Sequence, residues 1–313
     1  MEVITHDMIR ELDISPEQSI QWVENGFKMK HECQLPPKTS LKLEGNIFYN
    51  TMPCIMETIN SAGVKVVSRY PKRSPSLESH ILLYSTETGS LEAIIDATWI
   101  TAMRTGAVAA LAIKTFAVKN FQTVSLVGLG NTARATFEAL LSIYKDKLLK
   151  IKLLKYKDQA EDFINRFSKA PNVEFEICEN FEELVFNADV ILSCVTVAEN
   201  LFGRDELYKE GVLVVPVHTR GFQNCDLFFD KVYADDKEHV SNFKYFDRFK
   251  KFAEFSDVLL GKTEGRADDN ERILSYNIGI ALHDIYFARQ IYDRLMNKGK
   301  IINFKTPNDK FWY

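Results

Sequence analysis

Residues 123–135, TVSLVGLGNTARA, restrict the fold more than any other stretch of the chain. An apolar, β-branched run ends at Gly128, and Gly128-Leu129-Gly130-Asn131-Thr132-Ala133 passes directly into a helix-forming sequence. In a dinucleotide-binding βαβ unit the strand delivers the chain to a tight turn at the first glycine. The second glycine lets the backbone approach a pyrophosphate, and the third position takes a small residue so that helix and strand can pack. Ala133 fills that third position. The helix that follows would aim its N-terminal amides, and the positive end of its dipole, at phosphate. A Gly-x-Gly-x-x-Ala run alone also occurs in plain tight turns. The strand before it and the helix after it point to a nucleotide cofactor.

The following segment alternates in the same way. Periodicity predicts a helix over 131–146, a strand over 150–156, a helix over 158–169 and a strand over 173–178. Residues 188–195 (ADVILSCV) and 211–217 (GVLVVPV) are continuous apolar runs, suited to parallel strands covered on both faces. The expectation is an α/β fold, a Rossmann-type doubly wound parallel sheet with its crevice at the carboxyl ends of the strands. The tip of the second strand normally carries an acid for the adenosine ribose. Here it reads Lys155-Tyr156-Lys157-Asp158. If the strand stops at Tyr156 the tip is basic, which suits a 2′-phosphate and marks Lys157 as a cofactor contact. Asp158 reads more simply as the N-cap of the next helix. The cofactor is NAD or NADP, and this tip leans to NADP(H).

At 313 residues the chain invites two domains. No run reaches the ~20 apolar residues of a membrane span. The N-terminal MEVITHDMIRELD is charged and lacks the apolar centre of a secretory signal. A cytoplasmic protein without a membrane partner is expected. A net charge of −4 argues against a general nucleic-acid binder. The five cysteines are widely spaced with no Cys-x-x-Cys pair, and read as reduced thiols. The six histidines show no metal-ligand spacing, so no metal is expected.

Residues 1–115 are organised differently. A helix over 15–30 opens with the capping-box pattern Ser15-Pro16-Glu17-Gln18. Short strands follow at 38–43, 46–51, 63–69, 80–85 and 91–96, the last entered through the turn Thr86-Glu87-Thr88-Gly89. A helix from residue 98 to about 118 leads to the cofactor domain. Three cations stand out. Lys65 lies among valines in a strand, and a lysine there is either paired or reaching out from a sheet edge. Arg104 sits in the small, apolar helix start TAMRTGAVAALA, either solvated or gripping a carboxylate with two parallel bonds. Lys38, after Pro36-Pro37, reads on spacing alone as an ordinary surface charge, and Arg69, Lys72 and Arg73 as a solvated basic loop.

With these residues together, the chain resembles the ornithine cyclodeaminase/mu-crystallin family over nearly its whole length. The segments that carry the resemblance include PPKTS (36–40), TMPCI (51–55), AGVKVVSRYP (62–71) and TETGSLEAIIDATWITAMRTGAVAALA (86–112). Further along are VSLVGLGNTARA (124–135), ADVILSCVT (188–196), GKTEGR (261–266) and YNIGIALHDIYFA (276–288). The combination of a lysine in a strand, an Arg-Thr-Gly-Ala helix and a glycine turn is specific to this family.

The resemblance implies a discontinuous, strand-rich α+β substrate and dimerisation domain, residues 1–115 plus 280–313, with a Rossmann domain inserted at 116–279. It implies a homodimer, and bound NAD(H) or NADP(H) exchanging a hydride with the carbon that bears the substrate nitrogen. The family's substrate lysine falls on Lys65 and its carboxylate-binding arginine on Arg104; these are the candidate catalytic residues. A second family arginine falls on Lys38, which departs from the pattern. Val195 and Thr196 would flank the adenosine or ribose, and His218 would lie near the nicotinamide.

One departure bears on the reaction. The family's cyclodeaminases carry an aspartate after the fifth Rossmann strand that acts on the side-chain amine. Its place falls at Arg220, give or take a residue, and Asp226 lies too far along. An arginine there would repel a terminal ammonium and welcome a second carboxylate or a neutral group. The resemblance therefore implies an NAD(P)-dependent oxidoreductase acting on the Cα–N bond of an amino acid or its imine, with Lys38, Lys65, Arg104 and Arg220 toward substrate. A lyase that cyclises ornithine to proline with catalytic NAD, and a non-enzymatic ligand-binding protein of mu-crystallin type, are the alternatives.

Overall fold

The computed structural model describes residues 1–218, 222, 224 and 227–303. The chain opens with β1 (Glu2–Ile4), α1 (His6–Glu11), α2 (Pro16–Met29), β2 (Thr39–Leu43), β3 (Ile47–Met56), β4 (Ser61–Arg69), β5 (Leu77–Tyr84) and β6 (Leu91–Asp96). It continues through α3 (Thr98–Phe116), β7 (Thr123–Val127), α4 (Asn131–Ile143), β8 (Leu149–Leu154), α5 (Gln159–Phe167), β9 (Val173–Cys178), α6 (Phe181–Val185), β10 (Val190–Ser193) and β11 (Leu213–Pro216). It ends with β12 (Lys231–Ala234), β13 (Phe252–Glu254), α7 (Phe255–Leu259), β14 (Ile273–Tyr276), α8 (Ala281–Leu295) and β15 (Lys300–Ile301). Among the described residues no helix is long and apolar enough to cross a membrane.

The chain forms two units. The first comprises Met1–Asp13, Glu32–Ile100 and the residues from Asp284 onward; the second comprises Ile14–His31 and Thr101–His283. This differs from the expected partition in two elements: α2, and α3 from Thr101 on with its Arg104, belong with the dinucleotide unit. The reason is packing. Phe27 of α2 lies 4.8 Å from the ring of Phe255 and 4.4 Å from that of His283. Lys30, just beyond α2, bonds Asp236 at 2.9 Å and Glu254 at 2.6 Å. The N-terminus of α2 is built as its sequence indicates, with Ser15 Oγ accepting from the Gln18 amide at 3.1 Å and proline in the first turn.

The first unit holds a seven-stranded sheet in the order β15-β1-β6-β5-β4-β3-β2, antiparallel except for β1 beside β6. Alternation gives it two unlike faces. Met52, Lys65, Ile81 and Ile95 stand in register across β3, β4, β5 and β6, and all four are buried. The opposite face of its outer strands is open, with Leu41 65 % and Leu43 60 % exposed beside Tyr49 and Val66.

The second unit is a parallel sheet of eight strands in the order β13-β12-β14-β11-β10-β7-β8-β9. Sequence order reverses between β7 and β10, the switch point at which such sheets open a ligand crevice. Phe137 of α4, Phe163 and Phe167 of α5 and Phe175 of β9 pack ring against ring and fasten these elements together. Strands β12, β13 and β14 are three or four residues long and escape a periodicity reading. The GKTEGR run has a structural role. The Arg266 guanidinium donates to the carbonyls of Phe116 at 2.7 Å, Glu271 at 2.6 Å and Gly211 at 2.9 Å, pinning three loops.

Candidate active site

In the first unit the site centres on Lys65. It lies in the interior of the sheet, flanked by β3 and β5, so the edge-strand alternative does not describe it. Its side chain has 0 % exposure, and Nζ is 2.7 Å from Oδ2 of Asp284, which is equally sealed. The approach of α8 depends on Gly63, two residues before Lys65 on the same face. A β-carbon there would stand 2.6 Å from the Ile285 methyl, so only glycine lets this helix turn come so close. Charges removed from water cost several kcal/mol each and are tolerated when paired. Cys54, on this face too, has its thiol pushed well above the ordinary range by the hydrogen bond with Cys33, by burial and by the charge of Asp284. Asp284 carried no motif in the sequence. The available signal was indirect: a lysine inside an apolar strand needs an acid, and IALHDIYFA holds one in an apolar helix.

In the second unit Arg104 is 5 % exposed, so it is not a solvated first-turn residue. Its guanidinium lies against the backbone of Gly279, where φ is +78°. Gly279 is held in turn by Asp235, whose Oδ2 accepts its amide at 2.9 Å while Oδ1 accepts Asn277 Nδ2 at 3.0 Å. Burial raises the Asp235 carboxyl above its ordinary range, opposed by these bonds and by the charges of Arg104 and His239. Asp235 and Asn277 immediately follow β12 and β14, so this cluster sits at the carboxyl edge of the parallel sheet. On α3, Gly106 lets the helix meet α4 closely; a β-carbon on it would come within 2.5 Å of the Ala135 and Thr136 backbone.

The glycine turn occupies the same edge. Val127 and Pro216 each pair with Ser193, so the segments after β7, β10 and β11 start level. Gly128 has φ +76°, and a β-carbon there would stand 2.7 Å from Val195. Gly130 is the N-cap of α4 and offers no side chain to its amides, and nothing lies within 4 Å of a β-carbon built on it. That open cradle at a helix N-terminus fits a diphosphate. Ala133 is buried, Asn131 exposed and Thr132 half-buried. Val195 is half-buried and Thr196 exposed after β10, and His218 is half-buried two residues past β11. Strand β8 stops at Leu154, earlier than expected, leaving Lys155-Tyr156-Lys157 as its tip. Lys155 is bonded to Glu179 at 2.6 Å, while Lys157, at φ +51°, carries its ammonium 5.4 Å from the Tyr156 ring centre.

Lys38 is half-buried and immediately precedes β2, which starts one residue later than expected. Arg220 and Asp226 lie outside the described residues. Among the described residues one group, His31, Glu254 and Asp257, converges as metal ligands would. Glu254 is already bonded to Lys30 and to the Lys237 amide at 2.7 Å, and His31 to Asp257 at 2.8 Å, so this is an ion-pair network.

A doubly wound parallel sheet with an uncapped glycine turn at its switch point defines a Rossmann-type dinucleotide-binding protein. More particularly, the chain belongs to the ornithine cyclodeaminase/mu-crystallin family, whose profile matches residues 2–299. It is 27 % identical over 241 residues to N-((2S)-2-amino-2-carboxyethyl)-L-glutamate dehydrogenase of Staphylococcus aureus, covering 71 % of this chain and 70 % of the relative. It is 27 % identical over 263 residues to the ketimine reductase mu-crystallin of Macropus fuliginosus, covering 79 % and 80 %. The structure of Thermococcus litoralis Δ1-pyrroline-2-carboxylate reductase in complex with NADH and L-proline matches with a TM-score of 0.86 at 24 % identity, over 96 % of this chain and 100 % of that one.

Proposed function

We propose that this chain is an NAD(P)-dependent oxidoreductase acting on the Cα–N bond of an amino acid or its imine. The observation that carries the reading is Lys65: a lysine sealed from water and paired is a protected proton source, in a chain that also carries a dinucleotide turn. When bound, the nicotinamide supplies or takes up the hydride. Gly128, Gly130, Asn131, Thr132 and Ala133 hold the diphosphate, Val195 and Thr196 the adenosine side, and His218 the nicotinamide side. Arg104 grips the substrate carboxylate, with Lys38 and Arg220 as further anchors, and Lys65 exchanges the proton at nitrogen. The names of the dehydrogenase and the ketimine reductase among its relatives support this class of reaction.

Lys157 at the β8 tip favours NADP(H), because no carboxylate stands between Leu154 and Lys157 to take a free ribose hydroxyl. The open apolar face around Leu41, Leu43, Tyr49 and Val66 supports a homodimer, with a second copy covering it. A cytoplasmic location accords with cysteines read as reduced thiols.

The test is a screen of cyclic imines, and of 2-oxo acids paired with amines, followed by NADH and NADPH absorbance. Stoichiometric loss of reduced cofactor is expected with a suitable imine. Ammonia release and proline formation from ornithine, with only catalytic NAD and no net redox change, would overturn the reading in favour of a lyase.

A further inference from the structure

The position of Lys65 between Met52 and Ile81 is one an aliphatic side chain would fill without charge. Replacing a buried ion pair by apolar residues of similar volume is often neutral or stabilising, so packing does not account for Lys65 and Asp284. Asp284 brings its Oδ2 to 2.7 Å from Lys65 Nζ. We propose that Asp284 is the positioning residue for Lys65: its carboxylate, 2.7 Å away, keeps Nζ an ammonium in the resting protein, which fits the chain for imine reduction. The proposal rests on the oxidoreductase reading above and deepens it by assigning the resting proton and the favoured direction.

The physical argument has three parts. A lysine removed from water by itself sheds its proton, because burial penalises the charged form. A carboxylate in direct contact reverses that preference, and Asp284 is the group in place to do so. Asp284 itself lies in the first turn of the fifteen-residue helix α8, where the positive end of the helix dipole favours an ionised carboxylate. The pair therefore rests as ammonium and carboxylate. In the reaction the C=N π bond opens, the carbon gains a hydride, and the nitrogen gains the proton from Nζ. The Nζ–H bond breaks, Lys65 is left neutral, and it recovers a proton from water. The two electrons come from the reduced dinucleotide. A neutral lysine at rest would instead be poised to take a proton in the oxidative direction.

The test begins with 15N NMR of protein labelled at lysine Nζ, with Lys65→Met assigning the resonance. At neutral pH the wild-type signal is expected at the ammonium shift, and Asp284→Asn should move it to the neutral-amine shift. In imine reduction Asp284→Asn should lower kcat by roughly ten- to a hundredfold and leave KM within about threefold, with Asp284→Glu recovering part of the loss. A wild-type Lys65 resonance at the amine shift would overturn the proposal even if Asp284→Asn did not fold. So would an ammonium unmoved by Asp284→Asn, or a loss in that variant confined to KM. Correct NMR shifts without imine turnover would count against the oxidoreductase reading and leave the Asp284 assignment standing.

Discussion

Gly279 and Arg104 fit each other by subtraction: a β-carbon on Gly279 would stand 2.5 Å from Nη1 and 3.1 Å from Nη2 of Arg104. The glycine is doubly required, because its φ of +78° is one that side chains rarely adopt. Gly279→Ala should therefore turn the guanidinium away, raise KM for a carboxylate substrate and leave dinucleotide affinity within about threefold. Arg104→Lys, which keeps the charge but loses the two-pronged grip, should raise KM about ten- to a hundredfold, the equivalent of losing a charge-assisted bond. Steady-state kinetics with unchanged KM in both variants would remove Arg104 from the substrate site.

Gly130 is open where a side chain would stand. Gly130→Val should abolish dinucleotide binding by calorimetry while melting near the wild-type temperature, since the new methyls meet no protein atom within 4 Å of the β-carbon. Retained affinity in that variant would mean that the turn holds no diphosphate.

A 2′-phosphate read at the tip of β8 would lean on Lys157. Lys157→Ala should weaken NADPH binding by about tenfold or less, an exposed charge contact being worth little, and leave NADH binding unchanged. Equal losses for both cofactors, or a wild-type preference for NADH, would show that the 2′-phosphate is not read here.

Lys30, Asp236, His239 and Glu254 form a nearly buried ionic cluster. Burial alone would raise the Asp236 carboxyl, but hydrogen bonds from His239 and Lys30 win and hold it at about 2. A carboxyl depressed in the folded state stabilises it above the ordinary carboxylate range and loses that contribution as pH falls toward 2. About 2 kcal/mol should disappear from this group between neutral pH and that point. Lys30→Met leaves two carboxylates facing an apolar group and should destabilise the protein by about 3–5 kcal/mol. Urea denaturation at neutral pH and at about pH 2 checks the first, and the neutral-pH comparison with Lys30→Met the second; a loss below 1 kcal/mol in the variant would show the cluster to be solvated.

Much of the second unit was legible because its signals are local. A strand, a glycine turn and a helix lie consecutively in residues 123–143, and each announces itself by periodicity or by the absence of a side chain. The capping of α2 by Ser15 is equally local. Strands β12 to β14 were not legible, because three or four residues between polar loops make no period. The assignment of α2 to the second unit was not legible either. An amphipathic helix declares that it has an apolar face, without declaring which surface covers it.

By itself, then, the sequence determined the dinucleotide turn, the doubly wound order of strands and helices, and the candidacy of Lys65 and Arg104, since short-range steric and periodic rules decide all of these. Only the tertiary structure decided that Lys65 is sealed and that Asp284, 219 residues later, is its counter-ion. It likewise decided that Asp235 holds Gly279, the residue against which Arg104 rests. Ion pairing in a protein interior depends on which atoms are brought together and how much water is excluded, and neither quantity exists until the chain has closed around them.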